Sequence, residues 1–255
     1  MNNILEVKDL CKTYIINKRQ NNVLRNVNFS ISEGEMVAIM GPSGSGKSTL
    51  LYTVSGMDAL TSGEVSFEGK DISSLKADEL ADLRLSEMGF IFQQMYMLKN
   101  LSLLDNIILP AVKNKKDTSS RAEKLERGRS LMNLLGIADI ADNDINEVSG
   151  GQLQRACIAR SMINSPKILF ADEPTGALNR TSSEEVTEEL AKLNRAGTTV
   201  MLVTHDSHVA AKCDRVLYIV DGNIKEEMAL GKYEGLDSIR DRERRLNNWL
   251  MDMGW

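Results

Sequence analysis

The sequence predicts an α/β fold built on a parallel sheet. Three observations predict it: short apolar runs of strand length, helical periodicities alternating with them past residue 165, and a glycine-rich loop joining an apolar run to a helix-forming one. The 255 residues, 42% hydrophobic and 26% charged, suit one large domain or two modest ones and can bury a sizeable core. Disordered, collagen-like and disulfide-stapled chains are excluded.

In chain order, Leu5 and Val7, then Val27, Phe29 and Ile31, alternate with polar neighbours at the period of half-buried strands. Glu33-Gly34 reads as a turn and Met36 to Met40 as a short buried strand. Glu64 to Glu68 alternates again and ends at Gly69-Lys70. Beyond about residue 75 the pattern turns helical, through Leu80, Leu83 and Arg84 to Met88. Gly89 to Phe92 follows as a short strand. Residues 113–129, with seven Lys or Arg against three Asp or Glu, read as the solvated side of a helical region. Leu125, Leu131, Met132 and Leu135 recur at helical spacing and stop at Gly136. Strands then fall at Ile168 to Ala171, Thr199 to Thr204 and Val216 to Val220, with a helix from Ser183 to Leu193 between the first two.

Charge and composition narrow the function. The 31 Lys and Arg against 36 Asp and Glu give a net charge of −5, which disfavours a protein that coats nucleic acid. Apolar stretches such as Val216 to Val220 fall far short of the roughly 20 residues of a spanning helix. The opening residues Met1 to Lys8 carry Glu6 and no long apolar core, so a secretion signal is not expected. Cys11, Cys157 and Cys213 are far apart and form no Cys-x-x-Cys, which suits reduced thiols in a cytosolic protein.

The strongest motif is Gly41-Pro42-Ser43-Gly44-Ser45-Gly46-Lys47-Ser48-Thr49, a match to G-x-x-x-x-G-K-[ST] between a strand and a helix. Chance supplies that pattern in about one chain of this size in a hundred. Its glycines let successive backbone N–H groups turn toward phosphate oxygens, and the following helix adds its positive end. Lys47 offers a point charge for the phosphates, and the Ser48 hydroxyl is a ligand for Mg²⁺. Ile168 to Glu173 is an apolar strand ending in two acids. Asp172 suits a Mg²⁺ ion and Glu173 a base for the attacking water. Ser149-Gly150-Gly151-Gln152 has the spacing of a capping box, S-x-x-Q. Its two glycines also leave backbone N–H groups at a helix start, which is an anion site.

With these motifs in this order, the chain resembles the nucleotide-binding subunit of an ABC transporter, with Val148 where the signature usually has Leu. The resemblance covers roughly residues 4 to 225 and extends to three more positions. Gln93 resembles the Q-loop glutamine of the Mg²⁺ and water site, His205 the switch histidine, and Tyr14 the aromatic that stacks on adenine. The insertion Ile15 to Asn22 follows Tyr14 and bears on its placement, whereas His208 matches no motif. Asp105-Asn106-Ile107-Ile108-Leu109-Pro110 and Ala171 to Leu178 resemble the branch that serves lipoprotein release, macrolide export and bacitracin-type peptide resistance. One departure stands out. The D-loop ends in Asn179 where the family carries Asp, which puts cross-talk between two ATP sites in question.

The resemblance implies a RecA-like P-loop NTPase core and an antiparallel β-subdomain over 1–94 and 161–230. It also implies an inserted α-helical subdomain at about 95–160. It implies ATP and Mg²⁺ as ligands, Ser48, Gln93 and Asp172 at the metal, and Glu173, Gln93 and His205 in catalysis. ATP would lie between the P-loop of one subunit and Ser149, Gly150, Gly151 and Gln152 of a second, so a homodimer is expected. The partner is a membrane permease with a large extracellular domain, carried on another polypeptide, at the cytoplasmic face of the membrane. The segment past residue 225 favours the peptide-antibiotic group. A lipoprotein-release or macrolide-type ATPase is the alternative within the branch. A soluble translation or repair ATPase usually carries two cassettes or a coiled-coil insertion, and a non-hydrolysing regulator would not need Glu173 and His205.

Residues 231–255 form a separate, amphipathic extension. Leu236, Ile239, Leu246, Trp249, Leu250 and Met253 fall near one helical face, with Arg242 to Arg245 largely elsewhere. Both tryptophans of the chain, Trp249 and Trp255, lie here. Packing on the ATPase core and docking on the permease or the second subunit are both open from the sequence.

Overall fold

The structure is a computed structural model and describes residues 2–235 and 238–255. Two sheets organise the chain. β1 (Asn3–Ile16) and β2 (Arg19–Ser32) form a long antiparallel hairpin. Asn17 and Lys18 turn it with φ of 50° and 63°, the two left-handed residues that a tight hairpin turn needs. The expected insertion from Ile15 to Asn22 is therefore the tip of this hairpin. β4 (Ser62–Phe67) and β5 (Lys70–Asp71) complete a four-stranded sheet in the order β2-β1-β4-β5.

The second sheet has six strands in the order β10-β9-β3-β8-β7-β6. These are β3 (Met36–Met40), β6 (Met88–Ile91), β7 (Ile168–Asp172), β8 (Thr199–Val203), β9 (Arg215–Val220) and β10 (Asn223–Ala229). All its pairings are parallel except β9 with β10. Every residue of β3, β7 and β8 is buried, as expected where both faces of a parallel sheet are covered. Met36, Ala38 and Met40 face one apolar core, while Val37 and Ile39 face the other, which the first sheet closes.

Helix α1 (Lys47–Val54) leaves β3, and α2 (Ala77–Glu87) runs directly into β6. Met88, expected to end that helix, opens the strand instead. Between β6 and β7 lie α3 (Leu103–Lys113), α4 (Arg121–Leu134) and α5 (Gly150–Met162), started by Ser102, Ser120 and Ser149 as side-chain caps. Asn106 is buried and holds the loop before α3, accepting from Leu98 N and donating to the carbonyls of Leu98, Leu101 and Ser102. α6 (Arg180–Arg195) and the short α7 (Ser207–Ala210) follow β7 and β8.

The last helix, α8 (Ile239–Asp252), packs on the core through the buried side chains of Ile239, Leu246 and Leu250. Leu236, expected on its apolar face, lies outside the described residues. Arg242, expected on the polar face, is buried at 6% exposure. Its guanidinium donates to the carbonyls of Ala211 (2.7 Å), Cys213 (2.7 Å), Leu230 (3.0 Å), Gly231 (3.0 Å) and Lys232 (3.2 Å). Satisfying five carbonyls is what lets a charge sit there.

Candidate functional site

β3, β8 and β7 are neighbours, so the loops at their carboxyl ends converge. The loop after β3 presses against β9: a Cβ on Gly41 would stand 2.0 Å from the Ile219 carbonyl, so only glycine fits. α1 starts at Lys47 with no side chain capping it, which leaves its first N–H groups for a ligand. The Ser45 hydroxyl is buried and has no hydrogen-bond partner among the described residues. Lys47 Nζ donates to the carbonyls of Gly41 (2.8 Å) and Pro42 (2.9 Å). Burial pulls its pKa down, with Glu173 and Asp172 acting the other way. An uncapped helix end, an orphan hydroxyl and a partly desolvated ammonium fit a polyphosphate.

Asp172 ends β7 with both oxygens engaged. Oδ1 accepts from Ser48 Oγ at 2.8 Å and Oδ2 from Tyr52 Oη at 2.6 Å. Burial and the Asp172 carboxylate together drive the Tyr52 hydroxyl far above its usual pKa, so it stays a donor. Ser48 and Asp172 thus bring two hard oxygen ligands together, a donor set that fits Mg²⁺. Glu173 has a left-handed φ of 47°, a costly conformation in a non-glycine residue. Its backbone N–H donates to Val203 O at 3.0 Å, and Oε2 lies 2.9 Å from His205 Nδ1. Gly41, Pro42, Ser43, Lys47, Glu173 and His205 line one open cavity of about 420 Å³.

Gln93 and Tyr14, also expected at the site, are not in the lining of this cavity. Gln93 is exposed, and its Nε2 sits 3.2 Å from where a side chain on Gly176 would begin, so it touches the turn after Glu173. The segment after Gln93 is tied to α5, because Arg160 donates to the carbonyls of Met95 (2.6 Å) and Tyr96 (2.8 Å). Tyr14 donates to Asp58 Oδ2 at 2.5 Å, and Lys12 Nζ lies 4.6 Å from its ring centroid. Burial and then Asp58 raise the Tyr14 hydroxyl pKa, with Thr49 at the start of α1 acting the other way.

Comparison with known proteins decides the family. The profile described as ABC transporter matches residues 24–176, more than half of the chain. The chain belongs to the ABC transporter family. It is 43% identical over 221 residues to the macrolide export ATP-binding/permease protein MacB of Shewanella sp. strain ANA-3, covering 87% of this chain and 33% of that protein. It thus spans about a third of the length of such relatives. The ABC transporter ATP-binding protein YknY of Bacillus subtilis strain 168, itself uncharacterized, is 42% identical over 87% of this chain and 95% of its own. The dimeric post-hydrolysis structure of the ATP-binding cassette MJ0796 with ADP and Pi superposes with a TM-score of 0.83. It is 38% identical and covers 91% of this chain and 100% of that one. The ATPase cassette predicted from the sequence, with its α/β fold, is therefore borne out.

In this ABC cassette Ser149, Gly150, Gly151 and Gln152 stand apart from the cavity beside Lys47. Ser149 caps α5, accepting from Gln152 N at 3.3 Å while Gln152 Oε1 accepts from Ser149 N at 2.9 Å. None of Ser149, Gly150, Gly151 and Gln152 lines the cavity. Gly151 instead meets α6, where an added Cβ would fall 2.8 Å from Ser182 Oγ. Asn179 caps α6 by accepting from Ser182 N at 2.9 Å. His208, outside every motif, faces Glu243 of α8 at 3.2 Å. Sequence reasoning missed Tyr52, although its place four residues after Ser48 sets both on one helical face. It also missed Asp58, Tyr218 and Trp255, which no local pattern ties to the site.

Proposed function

We propose that this cassette is the ATP-binding and hydrolysing part of a transporter and works with a membrane permease. The ATPase domain is 1–230, with a helical subdomain at about 95–160 and an extension at 231–255. One observation carries the reading: Lys47, Glu173 and His205 share a cavity while Ser149 to Gln152 face elsewhere, which leaves the nucleotide half enclosed in one chain. A second copy, docked head to tail, supplies the missing face. The dimeric structures of MJ0796 support the presence of a second copy.

Each residue has a task. The P-loop N–H groups and Lys47 bind the phosphates, and Tyr14 stacks on the base. Ser48 and Asp172, with Gln93, would hold Mg²⁺, which when bound supplies positive charge to the phosphate oxygens. Glu173 accepts the proton of the attacking water, and His205, 2.9 Å from its carboxylate, fixes the direction of that group. Hydrolysis and phosphate loss remove contacts that only the triphosphate makes, so the dimer opens and the permease moves.

The permease reading rests on relatives named as ATP-binding/permease proteins and on one groove of about 410 Å³. Met57, Phe90, Phe92, Tyr96 and Pro110 line it, with Arg160 among them. Tyr96 is 65% exposed and Met57 44%, an apolar surface suited to a helix of the permease at the cytoplasmic face of the membrane. Among the described residues no helix is long and apolar enough to cross a membrane. For the cargo, an antimicrobial peptide is the first reading, and a macrolide, which the names of the MacB relatives support, is the second.

Affinity purification of the chain from its source cell, with identification of the co-purifying membrane protein, tests the permease. Recovery of no membrane protein refutes it. Disruption of the gene separates the cargoes: sensitivity to bacitracin-type peptides supports the first, sensitivity to macrolides alone the second, and neither response refutes both.

A further inference from the structure

α8 does more than pad the core. Its end is a glycine-terminated turn in which Gly254, at φ 86°, donates to Met251 O (3.0 Å) and Trp255 N donates to Leu250 O (3.0 Å). That pair of bonds reverses the chain and sends residue 255 back over the helix end. The start of the turn is fixed, since Leu246 and Leu250 are fully buried and Arg242 is held by five carbonyls. The reversed chain brings Trp255 to Tyr218, with ring centroids 6.1 Å apart at 65°. Both rings then line the cavity that holds Lys47, Glu173 and His205.

The two tryptophans differ in how they are used. Trp249 donates its indole N–H to Glu226 at 3.3 Å. Trp255 remains 46% exposed, and its indole N–H has no acceptor among the described residues. A free indole N–H, beside an ammonium and an uncapped helix end, is chemistry for a phosphate oxygen.

We propose that Trp255 is a nucleotide-contacting residue: its indole forms one wall of the phosphate cavity, and its N–H donates to a terminal phosphate oxygen of a bound nucleoside triphosphate. The proposal rests on the nucleotide reading of that cavity. It gives the last helix a place in the ATP site that the signature motifs do not describe. Trp255 takes no proton and forms no covalent bond. It binds and excludes water on the side of the cavity opposite β7.

Trp249→Phe leaves Trp255 as the sole indole, so its emission reports on the cavity directly. A non-hydrolysable ATP analogue is expected to shift that emission, and AMP to leave it in place. In the full chain, Trp255→Ala is expected to raise the KM for ATP about five- to tenfold, the scale of a lost aromatic contact, with Trp255→Phe recovering part of it. Emission and KM that do not move overturn the proposal. So does an emission change that grows with protein concentration over a hundredfold range, which assigns the cover to a second copy. A KM rise that follows a collapse in melting temperature, unrelieved by Trp255→Phe, overturns it too. Lys47→Ala is run alongside. If that variant binds ATP normally, the nucleotide reading fails; if it loses ATP while Trp255 is silent, only this inference fails.

Discussion

Glu173 Oε2 and His205 Nδ1 stand 2.9 Å apart at the ends of the neighbouring strands β7 and β8. The left-handed backbone at Glu173 turns its side chain into the cavity that Lys47 shares. Glu173→Gln keeps the shape and removes the base. ATP binding is expected to persist while hydrolysis slows on the order of a hundredfold or more. The variant should elute from a sizing column as an ATP-bound dimer. Wild-type turnover by Glu173→Gln would remove Glu173 from the role of base.

Asn179 caps α6 through Ser182 N, and an aspartate caps a helix equally well. Asn179→Asp is therefore expected to leave the melting temperature within about a degree. Any change in the Hill coefficient for ATP then reports on the seam between two cassettes and not on folding. Superimposable ATP curves would show that the neutral residue is silent.

Arg242 holds α8 by hydrogen bonds to five carbonyls from two separate segments of chain. Arg242→Met keeps the bulk and leaves those carbonyls without donors. The expected loss is about 3 kcal/mol, a fall of roughly 6–12 °C in melting temperature for a domain of this size. A thermal melt of the isolated chain checks it, and a change under 2 °C, roughly the fall for 1 kcal/mol or less, contradicts it. Deleting 236–255 should cost at least as much, because α8 packs on the core.

Asp117 anchors the start of α4. Burial opposes its charge, but the Ser119 hydroxyl and backbone N–H and the Arg127 guanidinium overcome that and hold its pKa at about 2. A depressed carboxylate stabilises the fold fully above its unfolded pKa, near 3.9, and loses that contribution as pH falls toward the folded value. Asp117→Asn should therefore cost about 1–2 kcal/mol from pH 5 to 7, and its deficit should narrow below about pH 4. Urea midpoints measured across that range decide it. A deficit that is constant down to pH 3 would show that charge is not what Asp117 contributes.

What could be read from the sequence was whatever is locally encoded. The P-loop announces itself because glycine spacing, one lysine and one hydroxyl are all consecutive, and the strand that launches it is apolar throughout. β10 was not legible, since Lys225, Glu226 and Glu227 mask its alternation, as is common on a sheet edge. Arg242 misled for a different reason. A helical wheel assigns arginine to water, and the carbonyls that make its burial possible lie 10 to 31 residues away. Trp255 depended on a turn whose outcome is decided only once α8 is docked.

The bonds from Arg160 to Met95 and Tyr96 fix one end of α5 beside Gln93, while Ser149 lies at the other end. Eleven residues of helix separate the two, roughly 16 Å, so a tilt of about 10° around Arg160 swings Ser149 through about 3 Å. Gly151 resting on Ser182 acts as the stop of that swing in the single chain. α5 is thereby a lever with its fulcrum at Arg160 and its tip, resting on α6, at Ser149. A displacement too small to reorder Gln93 is large enough, at the tip, to make or break a hydrogen bond.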